Sequence, residues 1–453
     1  MTPAGDILVR GGRVIDPANG TDNQLDVLVR DGRVAAVGAA LEADAPVLNA
    51  AGLVVAPGFV DLHTHLREPG FEHKETIATG TAAAARGGYT TVCAMANTDP
   101  TMDNAAVVAQ VMERARGAPA RVLPIGAITK GRLGKELSDM EELRAAGVVA
   151  YSDDGEGIAD AGVARRAFDY AADLGLPISE HCEDLAIAGE GRERGAMHEG
   201  AVSARLGLRG QPVVAELAML ERDIGLANLS GAPLHLAHVS TAPACAAIAA
   251  AKARGLRISA EVAPHHLFLT DAAVAGDASN GLDPLSAYDT NAKVAPPLRP
   301  AEHLAACIEA LEAGVLDAVA TDHAPHALQD KRCEFQEAAY GISGLETSFG
   351  ILGTLVADGK LTLGAVIDRL TIGPVRAWGL DRADLHGLGT LSKGAPGDLT
   401  VVDPTARWTV DPERFASLGK NTPLAGRELT GRVVATVLGG RIVFEAVKEE
   451  APA

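Results

Sequence analysis

Apolar runs and alanine-rich stretches alternate through the middle of this 453-residue chain, and their periods differ. The run Leu53-Val54-Val55-Ala56-Pro57-Gly58-Phe59-Val60-Asp61-Leu62 is too continuous for a half-exposed strand and reads as a buried one. Further strands are predicted over 90–95, 121–127, 148–152, 177–180, 233–237, 257–262 and 316–320, which makes eight. Helical spacing falls between them, over 77–86, 104–116, 163–174, 211–226 and 243–254. Eight β-then-α units in about 320 residues predict an α/β fold of the (β/α)8 TIM barrel type, with its active site at the C-terminal strand ends. A doubly wound sheet would instead show a glycine-rich phosphate loop after its first strand. Here the first strand is followed by His63-Thr64-His65.

The two ends keep a different rhythm. Short strands are predicted over 7–10 and 26–30, with hairpin turns at Gly11-Gly12 and Asp31-Gly32, and again over 398–402 and 433–443. Two strand-rich ends around a different middle predict a small β-sandwich domain assembled from both termini. Its parts are 1–55 and 379–453, around a barrel at 56–378.

Composition adds limits. With 47% apolar but only 3% aromatic residues, the core must be built from Val, Leu, Ile and Ala. A formal charge of −19, without any Lys/Arg block, argues against a nucleic-acid partner. It leaves anionic substrates open, because a bound metal reverses the local field. The five cysteines are scattered and never form a CxxC pair, which argues against a disulfide scaffold and against thiolate zinc sites. No basic-then-apolar leader opens the chain, and no apolar run approaches the roughly 18 residues that span a bilayer. The expected setting is the cytoplasm, away from membranes.

Candidate chemistry collects at the predicted strand ends. His63 and His65 lie two apart, so both imidazoles project to one side of a strand end, at a spacing suited to one metal. Ser152-Asp153-Asp154-Gly155 follows strand four, and Glu180-His181-Cys182-Glu183-Asp184 closes strand five. His238 ends strand six, His265-His266 follow strand seven, and Thr321-Asp322-His323-Ala324-Pro325-His326 follow strand eight. Imidazole and carboxylate together suit divalent zinc, with manganese, cobalt or nickel as substitutes. An aspartate can bridge two such ions, and Asp322 could both bind metal and move protons. The plainer readings are a helix N-cap for Asp322, an ordinary turn for Asp153-Asp154-Gly155, and packing for His265-His266. His235, between Leu234 and Leu236, reads as structural. His73, His198, His303 and His386 read as surface or locally bonded residues.

Taken in order, certain stretches resemble the class I bacterial dihydroorotases of the amidohydrolase superfamily. They are PGFVDLHTHLREPGFEHKE from Pro57, GGYTTVCAMAN from Gly87, Tyr151 to Gly155, His181 to Asp184 and GAMHEG from Gly195. His238 to Thr241, Glu261 to His266, ATDHAPH from Ala320, YGISG from Tyr340 and KNTP from Lys420 continue the series. The resemblance implies two Zn2+ per subunit: His63, His65 and Asp322 as ligands of the first ion, Asp154 as the bridge, and His181 and His238 as ligands of the second. It implies substrate contacts from His65, Arg67, Asn97, His326, Tyr340 and Gly341. The implied reaction is reversible hydrolysis of the cyclic amide of dihydroorotate to N-carbamoyl-aspartate, in pyrimidine synthesis. A hydroxide bridging the metals would be the nucleophile, and Asp322 the catalytic proton shuttle. As partners the resemblance implies the small-molecule substrate, a homodimer and a complex with aspartate carbamoyltransferase.

One departure stands out. Ala295, before Pro296-Pro297-Leu298-Arg299, occupies a position where relatives carry a substrate-contacting Asn. Weaker binding is expected, or substitution by a neighbour such as Asn291. Two other readings stay open. Hydantoinases, dihydropyrimidinases and allantoinases usually bridge their metals with a carboxylated lysine on strand four, and 147–154 contains no lysine. A silent homologue scaffolding aspartate carbamoyltransferase would typically have lost metal ligands, and all six positions are filled. The polar stretch 329–337 is a candidate lid over substrate.

Overall fold

A computed structural model describes residues 5–276, 287–382 and 385–446; the outermost parts of the predicted terminal domain, 1–4 and 447–453, lie outside them. The expected barrel strands all form: Phe59–Thr64, Tyr89–Ala94, Arg121–Gly126, Ala150–Tyr151, Ile178–Glu180, Leu234–Leu236, Ile258–Val262 and Ala318–Val319. Neighbours in sequence are neighbours in the sheet, and every pair is parallel. A bridge between Thr64 and His323 joins the ends of the row and nearly closes the barrel.

Helices Ile77–Arg86, Ala105–Arg114, Ala161–Leu174, Val213–Ser230 and Ala242–Ala253 overlie the predicted helical spans. Local chemistry fixes several of their starts. The side chains of Thr76, Asn104 and Asp160 accept hydrogen bonds from otherwise unpaired first-turn N–H groups. Inside, Val60, Leu62, Cys93, Ile125 and Ala320 pack with Ile372, Val375 and Trp378 of the helix Ile372–Trp378. The core is the aliphatic one that the composition demands.

The apolar run 53–62 is not one strand. Val54–Pro57 belongs to the terminal sheet, antiparallel to Leu399–Thr409 and parallel to Ile7–Asp16, and the barrel strand begins only at Phe59. Gly58 is the crossing point. A Cβ there would lie 2.1 Å from the Thr90 hydroxyl, so no larger residue fits between the two sheets. Hydrophobicity could not reveal the division, because both halves are fully buried.

The terminal sheet is mixed and eight-stranded, drawing five strands from 7–57 and three from 399–445. The Asp31-Gly32 hairpin forms as expected, with φ of 49° and 72°. The expected turn at Gly11-Gly12 does not. Strand Ile7–Asp16 runs through it with a bulge, and the chain reverses at Pro17–Asn19 instead. At Gly12 a Cβ would meet Val55 at 2.4 Å, so this glycine serves close packing rather than a turn. No helix among the described residues is long and apolar enough to cross a membrane.

Candidate metal-dependent active site

Strand ends one and eight are locked together beneath the site. Asp61 accepts the His63 N–H at 3.1 Å, the Thr321 N–H at 3.0 Å and the Thr321 hydroxyl at 2.5 Å. The His65 N–H donates to the His323 carbonyl at 2.9 Å. These bonds set His63 and His65 opposite Asp322. Three site residues hold left-handed backbone without being glycine: Arg67 at φ 60°, His238 at 31° and Asp322 at 46°. Each such conformation costs on the order of 1–3 kcal/mol and persists only where its surroundings enforce it.

All six predicted ligands converge. Asp154 is the centre, because its two oxygens face different histidine pairs. Oδ2 lies 3.3 Å from His63 Nε2 and 3.4 Å from His65 Nε2. Oδ1 lies 3.4 Å from His181 Nδ1 and 3.3 Å from His238 Nε2. Asp322 Oδ1 reaches His65 Nε2 at 3.2 Å and His63 Nε2 at 3.5 Å. Two triads, His63–His65–Asp322 and His63–Asp154–His238, each bring their ligand atoms within 4.8 Å of one another.

The donor set fits cations. His63 donates through Nδ1 to Glu261 at 2.9 Å, His65 through Nδ1 to Asn97 Oδ1 at 2.9 Å, and His181 through Nε2 to Glu183 at 3.0 Å. With one nitrogen so committed, the other faces the carboxylates, where a cation could take the place of its proton. His63 Nε2 is buried without a hydrogen-bond partner. His181 Nδ1 and His238 Nε2 stand 2.9 Å apart, so a proton on one of them, or a cation in its place, is shared between the two rings. Burial alone would raise the Asp154 carboxyl, yet the imidazoles of His63, His181 and His238 hold it well below the usual carboxylate range. Asp322 behaves likewise: burial is outweighed by His65, His63 and His238. Both carboxylates are therefore ionised and ready to meet a cation.

Beside this cluster opens a cavity of about 210 Å³, lined by five of the six predicted ligands. His63 lies beneath it. Arg67, Asn97, His326, Tyr340 and Gly341 form its walls, as does Ala295. Arg67 donates to the Pro325 carbonyl at 3.3 Å and approaches His326 Nε2 at 3.4 Å, and it makes no ion pair among the described residues. Burial lowers its pKa only to about 10, so the guanidinium stays charged at neutral pH. Tyr340 offers its ring and backbone, since its hydroxyl donates to the Gly195 carbonyl at 3.2 Å. Gly341 has φ 141°, and a Cβ there would meet Ala324 at 2.6 Å.

The plainer readings divide. Asp322 caps no helix. His265 and His266 are buried against each other, and His266 donates to the Pro296 carbonyl at 2.9 Å; neither joins the triads. Asn291 lies in the turn Thr290–Ala292 and is not on the cavity wall, so it does not stand in for the missing Asn. The stretch 329–337 is pinned rather than free. Lys331 Nζ donates to the carbonyls of Thr290, Lys293 and Ala339, and Lys293 Nζ to that of Gln336. Sequence reasoning gave no role to Glu261, Glu183, Arg194 or Asn421. Glu261 had a signal, because it alternates with Ser259 on strand seven, and it holds both His63 and His235. Asn421, from the terminal segment, accepts the His326 N–H and donates to the Ala324 and Gly341 carbonyls. Its signal in the sequence was the KNTP stretch from Lys420, which carries the resemblance but names no role for it.

Comparison with known proteins gives the arrangement a lineage. A family described as Dihydro-orotase-like matches residues 52–243. A dihydroorotase of Anaeromyxobacter sp. (strain K) is 51% identical over 447 residues, covering 98% of this chain and 99% of that one. The chain belongs to the dihydroorotase family. A dihydroorotase of Pelotomaculum thermopropionicum is 47% identical, with 97% and 98% covered. Among solved structures, the L-hydantoinase (dihydropyrimidinase) of Arthrobacter aurescens superposes with a TM-score of 0.84 at 26% identity, covering 99% of this chain and 98% of that one. A dihydropyrimidinase of Brevibacillus agri NCHU1002 gives 0.82 at 25%, with 97% and 95% covered. The fold is thus shared with this hydantoinase and this dihydropyrimidinase, while sequence identity sides with the dihydroorotases.

Proposed function

We propose that this protein hydrolyses the cyclic amide of dihydroorotate to N-carbamoyl-aspartate and catalyses the reverse ring closure, in pyrimidine synthesis. The observation that carries the reading is Asp154 facing two histidine pairs beside a half-buried Arg67 that makes no ion pair among the described residues. His63, His65 and Asp322 would hold one Zn2+, His181 and His238 a second, and Asp154 would bridge them. When bound, such a pair supplies hydroxide at neutral pH and polarises the ring carbonyl. Arg67 and Asn97 take the substrate carboxylate, an arginine fork being suited to a planar anion. Asp322, ionised beside His65, accepts the proton released as the C–O bond forms and delivers it to the ring nitrogen as the C–N bond breaks. Among the described residues no lysine lines the cavity, so the carboxylated-lysine bridge of the hydantoinases has no counterpart there. A cytoplasmic setting fits the five free cysteines, four of them buried. The homodimer and the carbamoyltransferase complex remain inferences from the resemblance.

The test is a ring-opening assay of purified protein with a metal count, with and without the carbamoyltransferase. Dihydroorotate turnover with two ions bound, abolished by a chelator and restored by Zn2+, is the expected result. Turnover of hydantoin but not of dihydroorotate would overturn it, and two ions without turnover under either condition would favour a scaffold. Ala295 gives a finer prediction. Ala295→Asn returns a donor to the cavity wall, and one added hydrogen bond is worth about 0.5–1.5 kcal/mol. KM for dihydroorotate should fall about twofold to thirteenfold, and an unchanged KM would show that the wall does not miss the amide.

A further inference from the structure

Arg194 lies outside every stretch that carries the family resemblance except for its neighbour Gly195, on the loop after the turn Gly191–Glu193. Its guanidinium nonetheless lines the catalytic cavity. It grips Glu183 as a fork, Nε to Oε1 at 2.7 Å and Nη2 to Oε2, with the Arg194 side chain only 14% exposed and that of Glu183 2%. The same Glu183 Oε2 accepts from His181 Nε2 at 3.0 Å, which turns His181 Nδ1 toward Asp154. On its other side the guanidinium stacks 4.8 Å from the centre of the Tyr340 ring. Two further bonds knit these segments: Gln336 Nε2 donates to the Arg194 carbonyl at 2.8 Å, and the Tyr340 hydroxyl to Gly195. Tyr340–Arg194–Glu183–His181 is therefore one continuous chain from the cavity wall to a predicted metal ligand.

We propose that Arg194 is a positioning residue that ties the substrate-facing wall at Tyr340 to the metal-binding orientation of His181. The assignment rests on the dihydroorotase reading above. Two physical roles are combined in one side chain. The fork to Glu183 fixes the carboxylate that orients His181, and outer partners of this kind typically change metal affinity or activity by about 10- to 100-fold when removed. The flat face stacks on Tyr340, a packing that a planar guanidinium offers and an ammonium does not. A lysine retains the charge opposite Glu183 but not the fork or the stack, so the two roles can be separated.

The test is Zn2+ binding to metal-free protein by equilibrium dialysis, alongside kcat and KM of the zinc-loaded enzyme and a thermal melt. Arg194→Met should weaken one of two ions about tenfold or more and raise KM, with kcat at saturating zinc and substrate changed far less. Arg194→Lys should recover most of the zinc affinity while KM stays high. A zinc isotherm for Arg194→Met that superposes on wild type overturns the proposal, as does a uniform loss of kcat without either binding effect. If Arg194→Met does not fold, Glu183→Gln decides: it should weaken the same ion, and wild-type zinc affinity in that variant overturns the chain. The zinc isotherms need no substrate, so wild-type protein that binds two ions without opening dihydroorotate would count against the assigned reaction alone.

Discussion

Exchanging Asp322 for Asn should lower kcat for dihydroorotate by about 10²–10⁴-fold, the range a positioned general acid–base contributes. Asn keeps the shape and an oxygen toward His65 Nε2, where Asp322 Oδ1 now stands at 3.2 Å, but it cannot take up a proton and release it again. The backbone should stay in place, since its φ of 46° is enforced by neighbours that the exchange does not touch. Asp61 clamps Thr321, and the His65 N–H holds the His323 carbonyl. Because Asn is also a poorer metal ligand, metal content must be counted on the same samples. Two retained ions with a collapsed kcat assign the loss to proton transfer. Two retained ions with near-normal turnover would remove Asp322 from that role, and a lost ion would make the variant a report on ligation.

The fold was legible because the barrel writes its pattern twice, as buried strands in one period and helices in another. Each predicted barrel strand after the first appears within two residues of its predicted ends. Where a boundary depended on tertiary partners, the pattern was silent. The run 53–62 looks uniform because both of its halves are buried, and only the strand pairing on either side of Gly58 shows that it serves two sheets. Gly11-Gly12 reads as a turn by composition, yet pairing with Thr21–Arg30 carries the strand through it. The site was legible for a related reason: residues that follow barrel strands must meet at one rim. Histidines and aspartates there needed only their positions in the chain. Their supports did not follow that rule. Glu183 looked like one more polar residue in an acidic run, and Arg194 and Asn421 come from loops whose approach to the rim depends on the assembled fold.

Arg67 offers the sharpest separation of substrate recognition from catalysis. A guanidinium drawn partly out of water favours an anion beside it, and the half-buried Arg67 makes no ion pair among the described residues, only the approaches to Pro325 and His326. His326 supplies no counter-charge, since an imidazole is neutral or cationic, and burial with the nearby Arg67, Lys331 and Lys74 keeps this one neutral. A substrate carboxylate would be that missing anion. Truncating one partner of a buried charge pair typically costs 2–5 kcal/mol, so Arg67→Met should lower kcat/KM for dihydroorotate by about 30- to 5,000-fold. Arg67→Lys should fall between the two, since it keeps the charge but loses the fork. The control is dihydrouracil, the same ring without the carboxylate. If Arg67 acts by holding that carboxylate, wild type should prefer dihydroorotate strongly and Arg67→Met should lose the preference, while its weak rate on dihydrouracil stays within a few-fold of wild type. Equal losses on both substrates would show that Arg67 supports the architecture of the site, and the carboxylate would need another receptor.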